Sequence, residues 1–355
     1  MASRFSPIAA DARILLVRLS AIGDIVFASS VISAFRRGCP KAHIAWLVQP
    51  ECAPLLDRHT DLDEVVICPV KEWQRLLRER RLRELARGIA ALRRTLREGR
   101  FDLAVDMQGL LKSGLLTHLS GARERIGLGS KEGSRLLLTH VLPRGRESKR
   151  IGSEYLFLAE SLGLPTEPFE MAVRYDAEDA AVAAGVVERD GLDGGYAVIC
   201  PFTTRPQKHW FEDRWGQLAA RLKTDLGLTP VLLGGPGDQE AARRIAQRIE
   251  CPHADLAGRT TLREAAALID RASLLVAVDT GLGHMGIALN TPSVLLFGST
   301  CPYLDTTRSN ALVLYHALRC SPCKRRPTCN GAFTCMREVD VTEVMDAARR
   351  VIAVQ

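Results

Sequence analysis

The stretch Leu274–Leu289, LLVAVDTGLGHMGIAL, joins two different apolar patterns. A continuous apolar run, typical of a strand buried on both faces, ends at Asp279, and a helix-compatible apolar segment resumes beyond Gly283 and His284. Small and polar residues at such a junction predict a strand–turn–helix unit of a parallel α/β sheet, with Thr280 as the N-cap of the helix.

Short β-rich runs alternate with helical segments along the chain, in two successive series. The first extends from RILLVRL at residues 13–19 to ERIGL at 124–128, and the second from YAVICP at 196–201 to SVLLFG at 293–298. Strands that alternate with helices form parallel sheets covered on both faces. We therefore predict an α/β protein with two doubly wound, Rossmann-like domains that face each other across a cleft. The predicted domains and C-terminal helix are 1–175, 176–340 and 341–355.

The positive charge of the chain is concentrated in one segment. The 355 residues include 48 Lys or Arg and 41 Asp or Glu, a net charge of +7. Residues 71–100 contain eleven Lys or Arg and four Glu, with leucine and alanine at helical spacing. This basic amphipathic helix is either a solvated face or a surface for anionic lipid or an anionic acceptor. Nucleic acid is not expected, because no recognisable nucleic-acid motif is present.

The apolar runs of the sequence indicate the cellular location of the protein. None approaches the roughly 20 residues of a transmembrane helix. Asp11 and Arg13 interrupt the apolar N-terminal residues where a signal peptide needs an unbroken core. We therefore expect a cytosolic protein.

Ligands of parallel sheets lie beyond the carboxyl ends of the strands, where helix N-termini present unpaired amides. The first loop in such a position is RLSAIGDIVFAS, residues 18–29. Its Asp24 is either a helix cap or a carboxylate that accepts a proton at the edge of the cleft. Gly23 stands alone, so the loop is not a G-x-G-x-x-G dinucleotide turn.

Two loops of the second series have the composition of phosphate and sugar sites. In TTRPQKHW, Thr203, Thr204 and Lys208 offer hydroxyls and a cation to a phosphate. In LLGGPGDQE the glycines allow close approach of a ligand to the backbone. Asp238 or Glu240 there is either a hydrogen-bond acceptor for a ribose or a helix cap.

The turn after Asp279 is the fourth candidate. The amides near Thr280 and Gly281 suit a diphosphate, and the Thr280 hydroxyl and His284 offer further donors.

Four segments together resemble glycosyltransferase family 9, the ADP-heptose–lipopolysaccharide heptosyltransferases. They are LLVRLSAIGDIVFASSVISAFRRGCPKAHIAWLV (15–48), DMQGLLKSG (106–114), TTRPQKHW (203–210) and VDTGLGHMGIALNTPSVLLFGST (278–300). The resemblance implies the GT-B fold and an inverting enzyme. Such an enzyme moves L-glycero-D-manno-heptose from ADP-heptose to Kdo or heptose of the lipopolysaccharide inner core, without a catalytic metal or other cofactor.

The resemblance also implies roles for donor-side residues and a base. Asp24 would deprotonate the acceptor hydroxyl as it attacks the anomeric carbon opposite ADP. The residues that would hold the diphosphate are Lys208, Thr203, Thr204, Thr280 and Gly281, with His284 close by. Asp279 would support that loop or contact the sugar. Glu240 matches the ribose-binding acid of the family, with Asp238 as the alternative.

The implied acceptor is a phosphorylated, carboxylated glycolipid at the cytoplasmic face of the inner membrane, with peripheral contact to its anionic surface. Lys112, Lys149 and Arg150 of the N-terminal domain would face this acceptor. Heptosyltransferase I enzymes carry an Arg-rich turn where this chain has PVKEWQRL, residues 69–76. The identity of the acceptor sugar therefore stays open.

Four cysteines form a separate cluster. Cys320, Cys323, Cys329 and Cys335 have the spacing C-x2-C-x5-C-x5-C. Four thiolates are able to close a tetrahedral structural zinc site, and an iron–sulfur site, reduced thiols and a local disulfide are the alternatives.

Two further hypotheses remain compatible with the sequence. One is a GT-B nucleotide-sugar enzyme of another specificity, either an other-sugar transferase or a 2-epimerase. The other is a non-enzymatic, basic, Cys-rich scaffold that binds membrane or RNA through residues 71–100 and 320–335.

Overall fold

The computed structural model describes residues 7–145, 149–300 and 302–354. By its internal contacts the chain divides into two compact units. The first unit is Met1–Glu147 with Gly152–Ala172, and the second is Ser148–Ile151 with Val173–Gln355. Each unit contains one parallel sheet with helices, as the alternating pattern predicts.

The first unit has six strands among its described residues: β1 (Arg13–Val17), β2 (His43–Val48), β3 (Glu64–Ile67), β4 (Leu103–Asp106), β5 (Glu124–Leu128) and β6 (His140–Leu142). Their order is β3-β2-β1-β4-β5-β6, and all neighbours are parallel. The helices are α1 (Ile22–Ala28), α2 (Ser30–Gly38), α3 (Val70–Arg78), α4 (Leu82–Glu98), α5 (Leu111–Leu119) and α6 (Ser153–Ser161). Short 3-10 turns lie at Pro50–Leu55 and Ser134–Leu137.

The second unit repeats this architecture with β7 (Tyr196–Cys200), β8 (Thr229–Leu232), β9 (Ala254–Asp255), β10 (Leu274–Val278), β11 (Ser293–Phe297) and β12 (Ala311–Tyr315). The order is β12-β11-β10-β7-β8-β9, again parallel. The helices are α7 (Ala177–Arg189), α8 (Glu212–Leu226), α9 (Gln239–Ala246), α10 (Leu262–Asp270), α11 (Gly281–Ala288), α12 (Thr334–Arg337) and α13 (Val341–Ile352), with 3-10 turns at Pro206–Lys208 and Pro236–Asp238. The C-terminal helix α13 packs on β11, β12 and α8.

The glycines of α11 bring this helix close to its sheet. A Cβ atom at Gly283 would lie 3.0 Å from Cβ of Ala277, and one at Gly286 would lie 2.2 Å from Cδ2 of Leu275. Glycine here therefore permits dense packing of α11 on β10 as well as access to the first-turn amides.

The basic segment forms two helices, and the prediction of one long helix over 71–100 was wrong. Arg80 has a left-handed φ of 55°. The amide of Arg81 donates to Leu76 O at 2.9 Å, and that of Arg80 donates to Leu77 O at 3.1 Å. These bonds form a Schellman motif that ends α3. The sequence concealed the break because the left-handed residue is Arg rather than Gly.

Among the described helices, none combines the length and the apolar composition that a membrane span requires.

Candidate active site

A buried carboxylate at the carboxyl end of β10 organises the second unit. Asp279 Oδ2 lies 2.5 Å from Lys208 Nζ and accepts a hydrogen bond from Thr300 Oγ1 at 2.6 Å. Its Oδ1 lies 3.3 Å from Nε2 of His284, and the side chain is 12% exposed. Lys208 comes from one segment of the sequence and Asp279 and His284 from another, and the structure brings them into one cluster. Thr300 belongs to it as well, and no pattern in the sequence indicated its role.

The charges of this cluster keep Asp279 ionised. Burial raises the pKa of its carboxyl group. The hydrogen bond with His284 and the positive charge of Lys208 lower this pKa by more than burial raises it, so the net shift is downward. A buried carboxylate that is paired and hydrogen-bonded is a fixed negative charge at neutral pH.

His284 contacts Asp279 through Nε2 and Tyr303 through Nδ1. Its Nδ1 lies 2.7 Å from the hydroxyl of Tyr303, whose pKa is raised by burial and by the nearby Asp279 charge. An ionised carboxylate only accepts hydrogen bonds, so Nε2–H of His284 faces Asp279, while the Tyr303 hydroxyl faces Nδ1. Both nitrogens have partners inside the protein, and the role of His284 as a donor for a diphosphate stays a prediction.

The threonines of the predicted donor site differ in their surroundings. Thr203 Oγ1 donates to the carbonyl oxygen of Asp279 at 3.3 Å, so it joins the two loops. Thr204 is exposed on the same loop. Thr280 is the N-cap of α11, as predicted, but its side chain makes no capping hydrogen bond. The first-turn amides beginning at Gly281 therefore lack a side-chain cap beside the Lys208–Asp279 pair.

The two acidic residues that are candidates for ribose binding differ in their contacts. Asp238 Oδ2 accepts a hydrogen bond from the amide of Gly235 at 2.8 Å, so it stabilises its own turn. Glu240 on α9 has a side chain that is 83% exposed, with an ion pair to Arg244 at 3.4 Å. The Glu240 carboxylate is thus the more accessible of the two.

Asp24 lies in the first turn of α1, after β1. Its Oδ2 is 2.5 Å from Arg18 Nη2 and accepts a bond from the Ala21 amide at 3.3 Å. Within the described residues Oδ1 has no hydrogen-bond partner, and the side chain is 41% exposed. One oxygen is anchored while the other faces solvent, which suits a proton acceptor as well as a cap.

Arg18 is a site residue that sequence analysis missed. It is 5% exposed, and its Nη1 donates to the carbonyl oxygen of Met107 at 2.8 Å. Burial lowers its pKa, but Tyr155 and Asp24 nearby raise it more, so the guanidinium stays charged. A charged residue directly after the apolar run ILLV of β1 was the available signal.

A second buried carboxylate shapes the DMQGLLKSG loop. Asp106 Oδ1 accepts from the amides of Gln108 and Gly109, at 2.9 and 3.0 Å, and Oδ2 accepts from Ser113 Oγ at 2.9 Å. Burial raises the pKa of this carboxyl group despite those bonds. Gln108 Oε1 in turn accepts a hydrogen bond from the amide of Leu19 at 3.1 Å. This bond joins the loop to the end of β1.

The three predicted acceptor-binding cations lie in different units. Lys112 is exposed in the first turn of α5. Burial raises the pKa of the Cys68 thiol to about 12, although the positive charge of Lys112 acts in the opposite direction. Lys149 and Arg150 lie in the second unit, where Arg150 forms an isolated parallel β-bridge with Asp305. The amide of Asp305 donates to Lys149 O at 3.0 Å. The expectation that all three belong to one N-terminal domain is therefore corrected.

The Cys-rich segment packs against the loops that carry Lys208 and Thr300. Gln207 Nε2 donates to Lys324 O at 3.1 Å, and the amide of Lys324 donates to Ser299 O at 2.5 Å. Cys320, Cys323, Cys329 and Cys335 are free thiols, and burial raises the pKa of Cys335.

The described part of the Cys-rich segment does not show a metal site. The part of the chain that the structure describes contains no group of three or more His, Cys, Asp or Glu side chains placed to hold a metal. The predicted structural zinc site at the four cysteines is therefore not supported.

Solved structures share the fold over nearly the whole chain. A glycosyltransferase family 9 protein from Veillonella parvula superposes with a TM-score of 0.81 at 20% identity, covering 98% of this chain and 99% of that one. Escherichia coli heptosyltransferase WaaC with ADP superposes with a TM-score of 0.73 at 23% identity, covering 96% and 99%. The fold of this protein is therefore of the GT-B class, with two doubly wound parallel sheets and polar residues at their carboxyl ends.

The sequence comparison narrows this class. The profile of glycosyltransferase family 9 (heptosyltransferase) matches residues 89–333. Lipopolysaccharide heptosyltransferase 1 of Pseudomonas aeruginosa is 29% identical over 324 residues, which cover 89% of this chain and 87% of that protein. The chain belongs to glycosyltransferase family 9. It is a glycosyltransferase. The alternative hypotheses, which are a transferase of another sugar, a 2-epimerase and a non-enzymatic scaffold, are not favoured.

Proposed function

We propose that the protein is an inverting heptosyltransferase, which moves L-glycero-D-manno-heptose from ADP-heptose to a Kdo or heptose hydroxyl of the lipopolysaccharide inner core. Membership of family 9 supports this proposal. The observation that carries it is the pairing of Lys208 with Asp279 beside the uncapped first turn of α11. A cation and unpaired helix amides together form an anion site suited to a diphosphate.

The second unit is the proposed donor-binding domain. The diphosphate accepts hydrogen bonds from the first-turn amides at Gly281 and from Thr204 and Thr280, and it shares the charge of Lys208. Asp279, held by His284 and Thr300, keeps the Lys208 ammonium at this position. The exposed Glu240 carboxylate accepts hydrogen bonds from the ribose hydroxyls.

Asp24 is the proposed general base. Its free Oδ1 takes the proton of the acceptor hydroxyl while that oxygen attacks the anomeric carbon from the face opposite ADP. Arg18 holds Oδ2 and thereby orients the carboxylate. The proton acceptor and the stabilised diphosphate leaving group together account for the transfer without a cofactor.

The acceptor is a phosphorylated, carboxylated glycolipid at the cytoplasmic face of the inner membrane. The first unit is the proposed acceptor-binding domain, and Lys112 is its exposed cation beside the loop that Asp106 shapes. Lys149 and Arg150 contribute positive charge from the second unit. Peripheral contact with the anionic membrane surface keeps the enzyme at its substrate.

A transfer assay tests this proposal. Purified protein is incubated with truncated inner-core acceptors and one donor at a time: ADP-heptose, ADP-glucose or UDP-GlcNAc. The products are resolved by mass and anomeric configuration. We expect an inverted heptosyl product from ADP-heptose alone. Absence of transfer from any ADP-sugar contradicts the proposal. Conversion of UDP-GlcNAc to its 2-epimer would instead support the epimerase hypothesis.

A further inference from the structure

The segment that forms α3 and α4 carries all of the net charge of the protein. Residues 71–100 contain eleven Lys or Arg against four Glu, and the whole chain contains 48 against 41, so both balances are +7. The other 325 residues therefore hold 37 basic and 37 acidic side chains. A field concentrated in this way orients a molecule toward an anionic surface.

The arginines of α4 form a stripe directed away from the core. Arg83, Arg87 and Arg94 are exposed, and their spacing of four and seven residues places them on one helix face. Leu92 and Leu96, on the opposite face, are buried in the core of the first unit. We call the exposed side of α3 and α4, residues 71–100, the basic surface.

Two acids of the basic surface are neutralised within it. Arg81 forms ion pairs with Glu79 at 3.3 Å and with Glu84 at 2.5 Å. Arg83, Arg87 and Arg94 form no ion pair with any acid in the described ranges 7–145, 149–300 and 302–354. Their charge is therefore available to an external partner.

The turn that joins the two helices adds an apolar element. Leu77 and Leu82 stand on either side of the turn, and each is 58% exposed. Leucine and arginine on one exposed element match the interfacial layer of a bilayer, where apolar side chains enter between headgroups and guanidinium groups pair with phosphates.

We propose that the basic surface is the docking face for an anionic lipid bilayer, with Arg83, Arg87 and Arg94 on the headgroups and Leu77 and Leu82 at the level of the acyl boundary. This inference rests on the proposed function only in that a glycolipid acceptor makes membrane docking useful. Charge complementarity and the exposed leucines carry it independently.

Vesicle cosedimentation tests the inference with the full-length protein. The vesicles contain either phosphatidylglycerol mixed with phosphatidylcholine or phosphatidylcholine alone, at low and at about 0.15 M salt. The variant is Arg83→Gln/Arg87→Gln/Arg94→Gln. The control, with the same loss of charge at exposed residues elsewhere, is Lys41→Gln/Arg123→Gln/Arg243→Gln. Circular dichroism and transfer to a deacylated, water-soluble acceptor are measured for every protein.

The expected result is salt-sensitive binding of wild type and control to anionic vesicles only. Each removed arginine weakens binding about fivefold, so the triple variant binds on the order of 100-fold less tightly. Its fold and its activity on the soluble acceptor stay unchanged. Leu77→Ser/Leu82→Ser loses a smaller factor, which salt does not alter.

Two results overturn the inference. Equal binding of the arginine variant and the wild type moves the docking face elsewhere, and failure of the wild type to bind anionic vesicles makes the basic surface a solvated helix face. If the wild-type protein transfers no sugar to the soluble acceptor, the proposed function is contradicted instead. The two failures are therefore distinguishable.

Discussion

The guanidinium of Arg18 lies 2.5 Å from Oδ2 of Asp24, and it anchors one oxygen of the carboxylate while the other stays exposed. Arg18 itself is fixed by the carbonyl oxygen of Met107, next to the loop that Asp106 organises. The proposed base is thus oriented from the interior of its own unit.

Asp24→Asn is expected to abolish proton acceptance and keep the shape of the site. The turnover number should fall about 10²- to 10⁴-fold, the usual contribution of a general base. Isothermal titration should give the ADP affinity of the wild type, since the proposed diphosphate site lies on other residues. A turnover number within threefold of the wild type would assign Asp24 to helix capping alone.

Arg18→Met should misalign Asp24 and lower turnover by up to about 100-fold, with little change in donor KM. Arg18→Lys should be intermediate, because one ammonium group cannot reproduce the two directed bonds of the guanidinium to Met107 and Asp24. Steady-state kinetics at saturating donor measure both variants, with thermal unfolding as a check on folding. Full activity in Arg18→Met would remove Arg18 from the site.

Lys208→Met should weaken ADP binding about 10- to 100-fold, because charge-assisted hydrogen bonds to the diphosphate are lost. Isothermal titration provides the measurement. The control is Lys223→Met on α8, whose ammonium donates to Thr229 Oγ1 at 3.1 Å, away from the proposed site. If both variants bind ADP as the wild type does, Lys208 serves only as the partner of Asp279.

Asp279 should make stability depend on pH in the acid range. Its folded-state pKa is lowered, despite burial, by His284 and Lys208. The resulting stability is present above the unfolded-state pKa of about 3.9 and is lost as pH falls through the folded value.

Urea unfolding of wild type and Asp279→Asn at pH 7 and pH 3 measures this effect. The variant should be less stable by about 3 kcal/mol at pH 7, since it leaves the Lys208 charge without its partner. The difference should shrink at pH 3. A difference that does not change with pH would show that the ion pair contributes nothing to folding.

Gly286→Ala should destabilise the second unit by about 1–3 kcal/mol, because the added Cβ overlaps the buried Leu275 side chain and lies 2.9 Å from Ser293 Oγ. Gly185→Ala is the matched control on the exposed part of α7, where nothing lies within 4 Å of the new Cβ. It should gain about 0.5–1 kcal/mol from helix propensity. Chemical denaturation compares the two, and equal effects would refute the packing role of Gly286.

Much of the fold was predictable because its signals are local. The apolar run before Asp279 and the small residues after it predict a strand and a helix, and both are confirmed as β10 and α11. The break at Arg80 was not predictable, since left-handed backbone at an arginine depends on the hydrogen bonds that close the turn.

The sequence by itself determined two α/β units, the polar strand ends and the concentration of positive charge, because periodicity and composition act over a few neighbouring residues. Only the tertiary structure decided that Lys208 and His284 converge on Asp279, that Tyr303 contacts Nδ1 of His284, and that Arg18 anchors Asp24. In the second unit these partners come from separate loops. They meet because parallel strands end at a common edge, and burial there strengthens their electrostatic interactions.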